Sequence, residues 1–117
     1  LNDLGKSEEA IECHDKAIEL DPKFRWAWNN KGNALGKLGK HEESLGCYDK
    51  VLELDPKFVW AWNSKGNALD NLGKHKEALK CCDRALELDP PDGLLKLIKG
   101  TIERIRQSMD EREISDK

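Results

Sequence analysis

The dipeptide Asp-Pro occurs at Asp21-Pro22, Asp55-Pro56 and Asp89-Pro90, with an interval of 34 residues each time. Its surroundings travel with it. Trp26-Ala27-Trp28-Asn29 recurs as Trp60-Ala61-Trp62-Asn63, and Lys31-Gly32-Asn33-Ala34-Leu35 as Lys65-Gly66-Asn67-Ala68-Leu69. Residues 25–58 and 59–92 are identical at 22 of 34 positions. A fixed period of this length specifies stacked copies of one small unit, each burying its apolar face on the next. It argues against a globular enzyme core and points to action through an extended surface.

Each period reads as two helices. The first spans about residues 23–38, with Asp21 as N-cap and Pro22 at the first helical position, where a missing N–H costs nothing. Gly39 stops it, as Gly73 does one unit later. The second spans about residues 41–54 and ends at Asp55-Pro56, because proline cannot continue a helix. Loops this short force the two helices antiparallel. No strand signal is present. The expected organisation is a partial unit at 1–22, full units at 23–56 and 57–90, a capping helix at 91–110 and a disordered tail at 111–117. In the partial unit, residues 1–4 would be the remnant of a first helix and 8–20 a second helix. The capping helix carries Leu94, Leu95, Ile98, Ile102, Ile105 and Met109 at spacings of three and four, which makes it amphipathic. No small-residue slot follows it.

These residues resemble the tetratricopeptide repeat family. The matches are Trp28, Gly32, Ser44, Tyr48 and Pro56 in one unit, and Trp62, Gly66, Ala78, Ala85 and Pro90 in the next. Ala10, Ala17 and Pro22 match in the partial unit. Leu35 and Leu69 stand where the family often has Tyr, and Lys31 and Lys65 where it often has Leu. Cys82 and His14 fill an aromatic slot. The resemblance covers about residues 1–92. It implies an all-α, right-handed solenoid of antiparallel helix pairs with a C-terminal cap helix, and a non-enzymatic protein-interaction scaffold.

Composition narrows the partners. The chain holds 20 basic and 23 acidic residues, interspersed, for a net charge of −3. Phosphate recognition needs a basic stripe, so nucleic acid, including RNA read by a similar helical repeat, is disfavoured. Nothing approaches the roughly 18 apolar residues of a membrane span. Leu1 is not an initiator Met, which suggests a fragment or processed product. Cys13, Cys47 and Cys81 are one repeat position seen three times. Stacked helices lie about 8–10 Å apart, too far for a disulfide. Free thiols are expected, and with them, weakly, a cytoplasmic location. His41 and His75 read as helix-start surface residues. His14, Cys13 and Cys47 lack zinc-ligand spacing. No phosphate loop or nucleophile motif appears, and no cofactor is expected.

On a helical wheel of about 100° per residue, Ala27, Trp28, Lys31, Gly32, Ala34, Leu35 and Leu38 share the packing side. The opposite arc holds Trp26, Asn29, Asn30, Asn33, Gly36 and Lys37, and one unit later Trp60, Asn63, Ser64, Asn67, Asp70 and Asn71. By resemblance this arc lines a concave groove. Asparagine carries a donor pair and an acceptor, so Asn29, Asn33, Asn63 and Asn67 could form a ladder along the backbone of an extended peptide. Asn is a poor helix former, and so many on one surface point to function. Trp26 and Trp60 are either apolar walls of that groove or packing residues between units. Some relatives clamp a C-terminal carboxylate. Here Asn30, Asn33 and Asn67 fit the amide slots, but Asn29, Leu94 and Ile98 occupy the cationic ones, which argues against that mode. The alternative is structural: the apolar face of Ala10, Ile11, Ala17 and Ile18 would lack a partner helix and pack on another copy, giving a homo-oligomer.

Overall fold

The computed structural model of the chain describes residues 3–115, and the side chains of residues 5–111. These residues form six helices: α1 (Asp3–Leu20), α2 (Arg25–Lys37), α3 (His41–Leu54), α4 (Val59–Asn71), α5 (His75–Glu87) and α6 (Asp92–Ser115). Each packs on the next, and in addition α2 touches α4 and α4 touches α6. Helices α1, α3 and α5 make no such contacts with one another. The solenoid therefore curves with α2, α4 and α6 on its inner surface. Its extents are 50 × 35 × 22 Å.

The turns explain the helix ends. Gly39 and Gly73 both take φ of 80°. Beyond them, the N–H of Lys40 bonds the Leu35 carbonyl at 2.9 Å and that of Lys74 bonds the Leu69 carbonyl at 2.8 Å. This six-residue closure needs a left-handed residue, which glycine adopts without penalty. The stop at Leu54 falls where Asp55-Pro56 predicts it. The start of α2 does not follow the prediction: it begins at Arg25, after the proline. Asp21 uses its carboxylate within the turn instead, accepting from the Lys23 N–H at 3.1 Å, as Asp55 does from Lys57 at 3.1 Å. The indole N–H groups of Trp28 and Trp62 then donate to the carbonyls of Pro22 and Pro56, each at 2.8 Å. The Asp-Pro signature thus encodes an Asx turn with a tryptophan tether rather than a helix cap. At the third copy Pro91 stands where Lys23 and Lys57 donate, and it has no N–H. There Asp89 takes φ of 53°, and α6 begins directly afterwards.

Two ends differ from expectation. Helix α1 is continuous from Asp3, so Asp3 and Leu4 belong to it rather than to a separate remnant, and Gly5, 34 residues before Gly39, lies inside it. Leu1 and Asn2 lie outside the described residues. Helix α6 runs past Met109 to Ser115, so residues 111–115 are helical where disorder was expected. Gln107 occupies the place of Gly39 and Gly73, and nothing breaks the helix there. Asp116 and Lys117 lie outside the described residues.

Small residues set the helix spacing. The Ser44 hydroxyl donates to the Gly32 carbonyl at 2.8 Å. A Cβ on Gly32 would stand 2.6 Å from the Tyr48 ring, and one on Gly66 would stand 3.1 Å from Cys82 Sγ and 3.3 Å from the Ala78 carbonyl. The series continues at Gly100, a further 34 residues on, where a Cβ would meet nothing within 4 Å. Units are joined by Lys31–Asp15 and Lys65–Asp49 bridges, both 2.7 Å. Each lysine also lies over its own tryptophan ring, at 5.9 Å and 5.8 Å. Lysine stems can thus pack where an apolar residue is usual, with the charge carried to the edge. At the far end Leu94, Ile98 and Ile105 of α6 are buried against Leu69, Ala78, Cys82 and Ala85. At about 1.5–3 kcal/mol for each large side chain removed from water, these three anchor α6.

Candidate functional site

Two notches open along the inner surface, and they are the same notch seen twice. One, of about 780 Å³, lies between α1 and α2 and is lined by Ser7, Ala10 and His14 on α1 and Asn30, Asn33, Ala34 and Lys37 on α2, with Lys6 at its edge. The other, of about 400 Å³, lies between α3 and α4. It substitutes His41 for Ser7, Ser44 for Ala10 and Tyr48 for His14, and Ser64, Asn67, Ala68 and Asn71 for the α2 residues, always 34 positions on. It is closed on its other side by Asn33, Gly36 and Lys37. Asn33 and Lys37 therefore belong to both notches and form the ridge between them.

The amides at this ridge are oriented by their neighbours. The Tyr48 hydroxyl donates to Asn33 Oδ1 at 2.6 Å. Burial pushes the Tyr48 phenol up, so it stays protonated and remains a donor. One unit on, position 82 is a cysteine that cannot reach, and Arg104 of α6 bonds Asn67 Oδ1 instead. Different donors thus hold two repeat-equivalent asparagines by their oxygens. What each can offer the groove is its NH₂ group, a donor pair suited to carbonyl or carboxylate oxygens. His75 is engaged by Asp70 at 2.7 Å, whereas the position equivalent to Asp70 one unit earlier is Gly36, which offers its counterpart His41 no such partner. His41 is thus left to the groove and His75 is not.

Of the residues picked from sequence, Asn30, Asn33, Lys37, Ser64, Asn67 and Asn71 line the notches. Asn29 and Asn63 do not: each is 3 % exposed, with its Oδ1 buried and unpartnered. This corrects their placement on the peptide-facing ladder, because the wheel of one helix ignores what neighbouring helices cover. Trp26 and Trp60 stand outside both notches, each 42 % exposed. The Trp26 ring meets Phe58 edge-on at 4.8 Å, a contact with the next unit. Ala10, Ile11, Ala17 and Ile18 are half-buried on α1, which packs on α2, and Ala10 lines the first notch. Ser7, His14, His41, Ser44 and Tyr48, all on second helices, line the notches without having been expected to. Applying the 34-residue offset to both helices of a pair would have found them.

Among the described residues no helix is long and apolar enough to cross a membrane. No curated protein matches the chain significantly. Solved structures do. The first TPR domain of human RPAP3, determined by NMR, is 28 % identical over 95 % of this chain and 85 % of that one, with a TM-score of 0.84. The first TPR of Spaghetti (RPAP3) bound to the HSP90 peptide SRMEEVD is 27 % identical over 91 % and 82 %, with a TM-score of 0.81. The second TPR domain of human RPAP3, in complex with the HSP70 peptide SGPTIEEVD, is 29 % identical over 87 % and 82 %, with a TM-score of 0.78. A family profile for the tetratricopeptide repeat matches residues 26–58 and again 59–92, and a second TPR-repeat profile matches residues 1–39. With these matches added to its paired helices and 34-residue period, the chain belongs to the tetratricopeptide repeat family.

Proposed function

We propose that the chain is a non-enzymatic interaction scaffold that holds an extended peptide segment of a partner protein along the two notches. The observation that carries this is a pair of oriented amides: Asn33 and Asn67, one unit apart, have their oxygens engaged and offer their NH₂ groups to the groove. An extended backbone presents a carbonyl oxygen at each residue. Donors fixed in advance lose little freedom when they bind it. The peptide-bound RPAP3 domains, alike in fold over most of this chain, support peptide binding as its use.

The test is a displayed library of random peptides panned against the chain, followed by titration of the enriched sequences. Changing Asn33 and Asn67 together to Ala should weaken them by about tenfold, the loss of roughly one net hydrogen bond's worth of binding free energy. The melting curve should still show a folded protein. Failure to enrich any sequence, or unchanged affinity in the folded double variant, would overturn the proposal.

A further inference from the structure

Resting on that reading of the groove, we infer that the segment it takes is an internal acidic one, recognised through side-chain carboxylates rather than through a chain terminus. The lining of the two notches is the first reason. The chain has 23 acidic residues against 20 basic, yet neither notch contains an Asp or Glu, while Lys6, Lys37, His14 and His41 all stand in them. Carboxylates are absent from the lining of both notches, although the protein is acidic.

The two lysines are also available. Lys31 and Lys65 are committed to Asp15 and Asp49, whereas neither Lys6 nor Lys37 enters any ion pair among the described residues. With the oxygens of Asn33 and Asn67 engaged, the polar groups flanking Lys37 are donors as well. Such a surface favours anionic, acceptor-rich ligands.

The position of Lys37 selects between a terminus and an internal segment. It lies on the ridge common to both notches. A chain ending there would fill one notch and leave the other empty, whereas a chain passing over it fills both. Adjacent packed helices lie about 8–10 Å apart and an extended chain advances about 3.3–3.6 Å per residue. The notches therefore recur at about every third residue of a bound strand, which is the spacing expected of the acidic side chains.

The experiment is fluorescence anisotropy on the full 117-residue chain with three N-terminally labelled peptides. Each is about twelve residues long, enough to span both notches at ~3.5 Å per residue. One carries Glu at every third position and a C-terminal amide, one has the same sequence with a free carboxylate, and one has Gln for each Glu and the amide. The two Glu peptides should bind within about twofold of each other, and the Gln peptide about tenfold more weakly, as loss of charge-assisted contacts requires. Lys37→Gln should weaken the Glu peptides about tenfold. Lys80→Gln removes the same charge from the exposed face of α5, and should leave affinity within about twofold. Equal binding of the Gln peptide, loss of binding on amidation, or equal effects of the two lysine variants would overturn the inference and leave the peptide site standing. If none of the three binds although library peptides are captured, the inference alone fails. If library peptides are not captured either, the peptide site fails with it.

Discussion

The hydroxyl of Tyr48 on α3 donates to the side-chain oxygen of Asn33 on α2 at 2.6 Å, across the seam between the two helices of one unit. The bond ties a packing residue to a groove residue. Tyr48 also fills the space that Gly32 leaves open. The ring that fixes helix spacing thereby fixes the direction in which an amide points into the groove. His14 and Cys82 occupy the same place in the neighbouring units, so this coupling belongs to the middle unit.

Tyr48→Phe keeps the ring and removes the bond. It should cost about 1 kcal/mol of stability, the usual net worth of one hydrogen bond, and free Asn33 to rotate. Urea denaturation should therefore show a small drop with the slope unchanged. Affinity for a groove-bound peptide should fall by a few-fold, because the amide is no longer held in advance. Full peptide affinity in Tyr48→Phe would mean that Asn33 needs no orienting.

Three of the helical glycines, Gly32, Gly46 and Gly66, should respond to alanine in a set order. Alanine gains about 0.8–1 kcal/mol of helix propensity at each. At exposed Gly46 a new Cβ meets nothing within 4 Å, so that gain should appear as net stabilisation. At Gly66 the Cβ would sit 3.1 Å from Cys82 Sγ and 3.3 Å from a backbone carbonyl, and a strain of about 1 kcal/mol roughly cancels the gain. At Gly32 the Cβ would sit 2.6 Å from a buried, hydrogen-bonded aromatic ring. Strain near the top of the roughly 1–3 kcal/mol range leaves a net loss of about 2 kcal/mol. Denaturation midpoints in the order Gly46→Ala, wild type with Gly66→Ala, then Gly32→Ala would agree. A Gly32→Ala variant as stable as Gly66→Ala would show that the Tyr48 ring can move aside.

The sequence specified the fold through features that act locally. Gly39 and Asp55-Pro56 bound α3 because a left-handed residue and a missing N–H each stop a helix whatever surrounds it. The start of α2 was less legible, since Asp before Pro suits a helix cap and an Asx turn equally, and the Trp28 tether that favours the turn comes from six residues away. The groove was legible only in part for the same reason. A wheel assigns Asn29 and Asn33 to one arc, but burial is decided by what lies across the seam. Asn29 is covered and Asn33 is not. The oxygens of Asn33 and Asn67 are held by Tyr48, 15 residues away, and by Arg104, 37 residues away; no pattern within one helix could show either. Gly100, third in the Lys-Gly series at 31–32, 65–66 and 99–100, was open to the same reading but went unused.

The four cysteines should separate cleanly by reactivity. All are free; Cys13 is exposed, while Cys47, Cys81 and Cys82 are buried. Burial also pushes the three buried thiols up, away from the reactive thiolate. Brief treatment of the native protein with a maleimide at neutral pH should add one label, which peptide mapping should place on Cys13. Unfolding in urea before treatment should add four, one for each cysteine in the chain. Native labelling at Cys47 or Cys81 would mean that α3 or α5 opens far more readily than its packing implies.

Stability should fall in alkali, and the sign follows from which state holds its protons. Burial holds the Cys82 thiol up to about 11. In the unfolded chain it ionises near the ordinary value of about 8.5. Between those values the unfolded state has lost a proton that the folded state keeps, so stability declines as pH rises and levels off for this group above about 11. Lys31 adds to the trend. Its hydrogen bond to Asp15 raises it above the usual ammonium range. The stability it contributes is complete below that range and is lost as pH passes through its folded value. Each unit of difference corresponds to about 1.4 kcal/mol, so Cys82 accounts for at most about 3.5 kcal/mol across the window. Urea denaturation at pH 7, 9 and 10.5 should show the decline, and Cys82→Ala should remove its largest single part while leaving the smaller parts from Cys47 and Cys81, whose thiols burial also raises. An identical pH profile in Cys82→Ala would assign the alkaline loss to other groups.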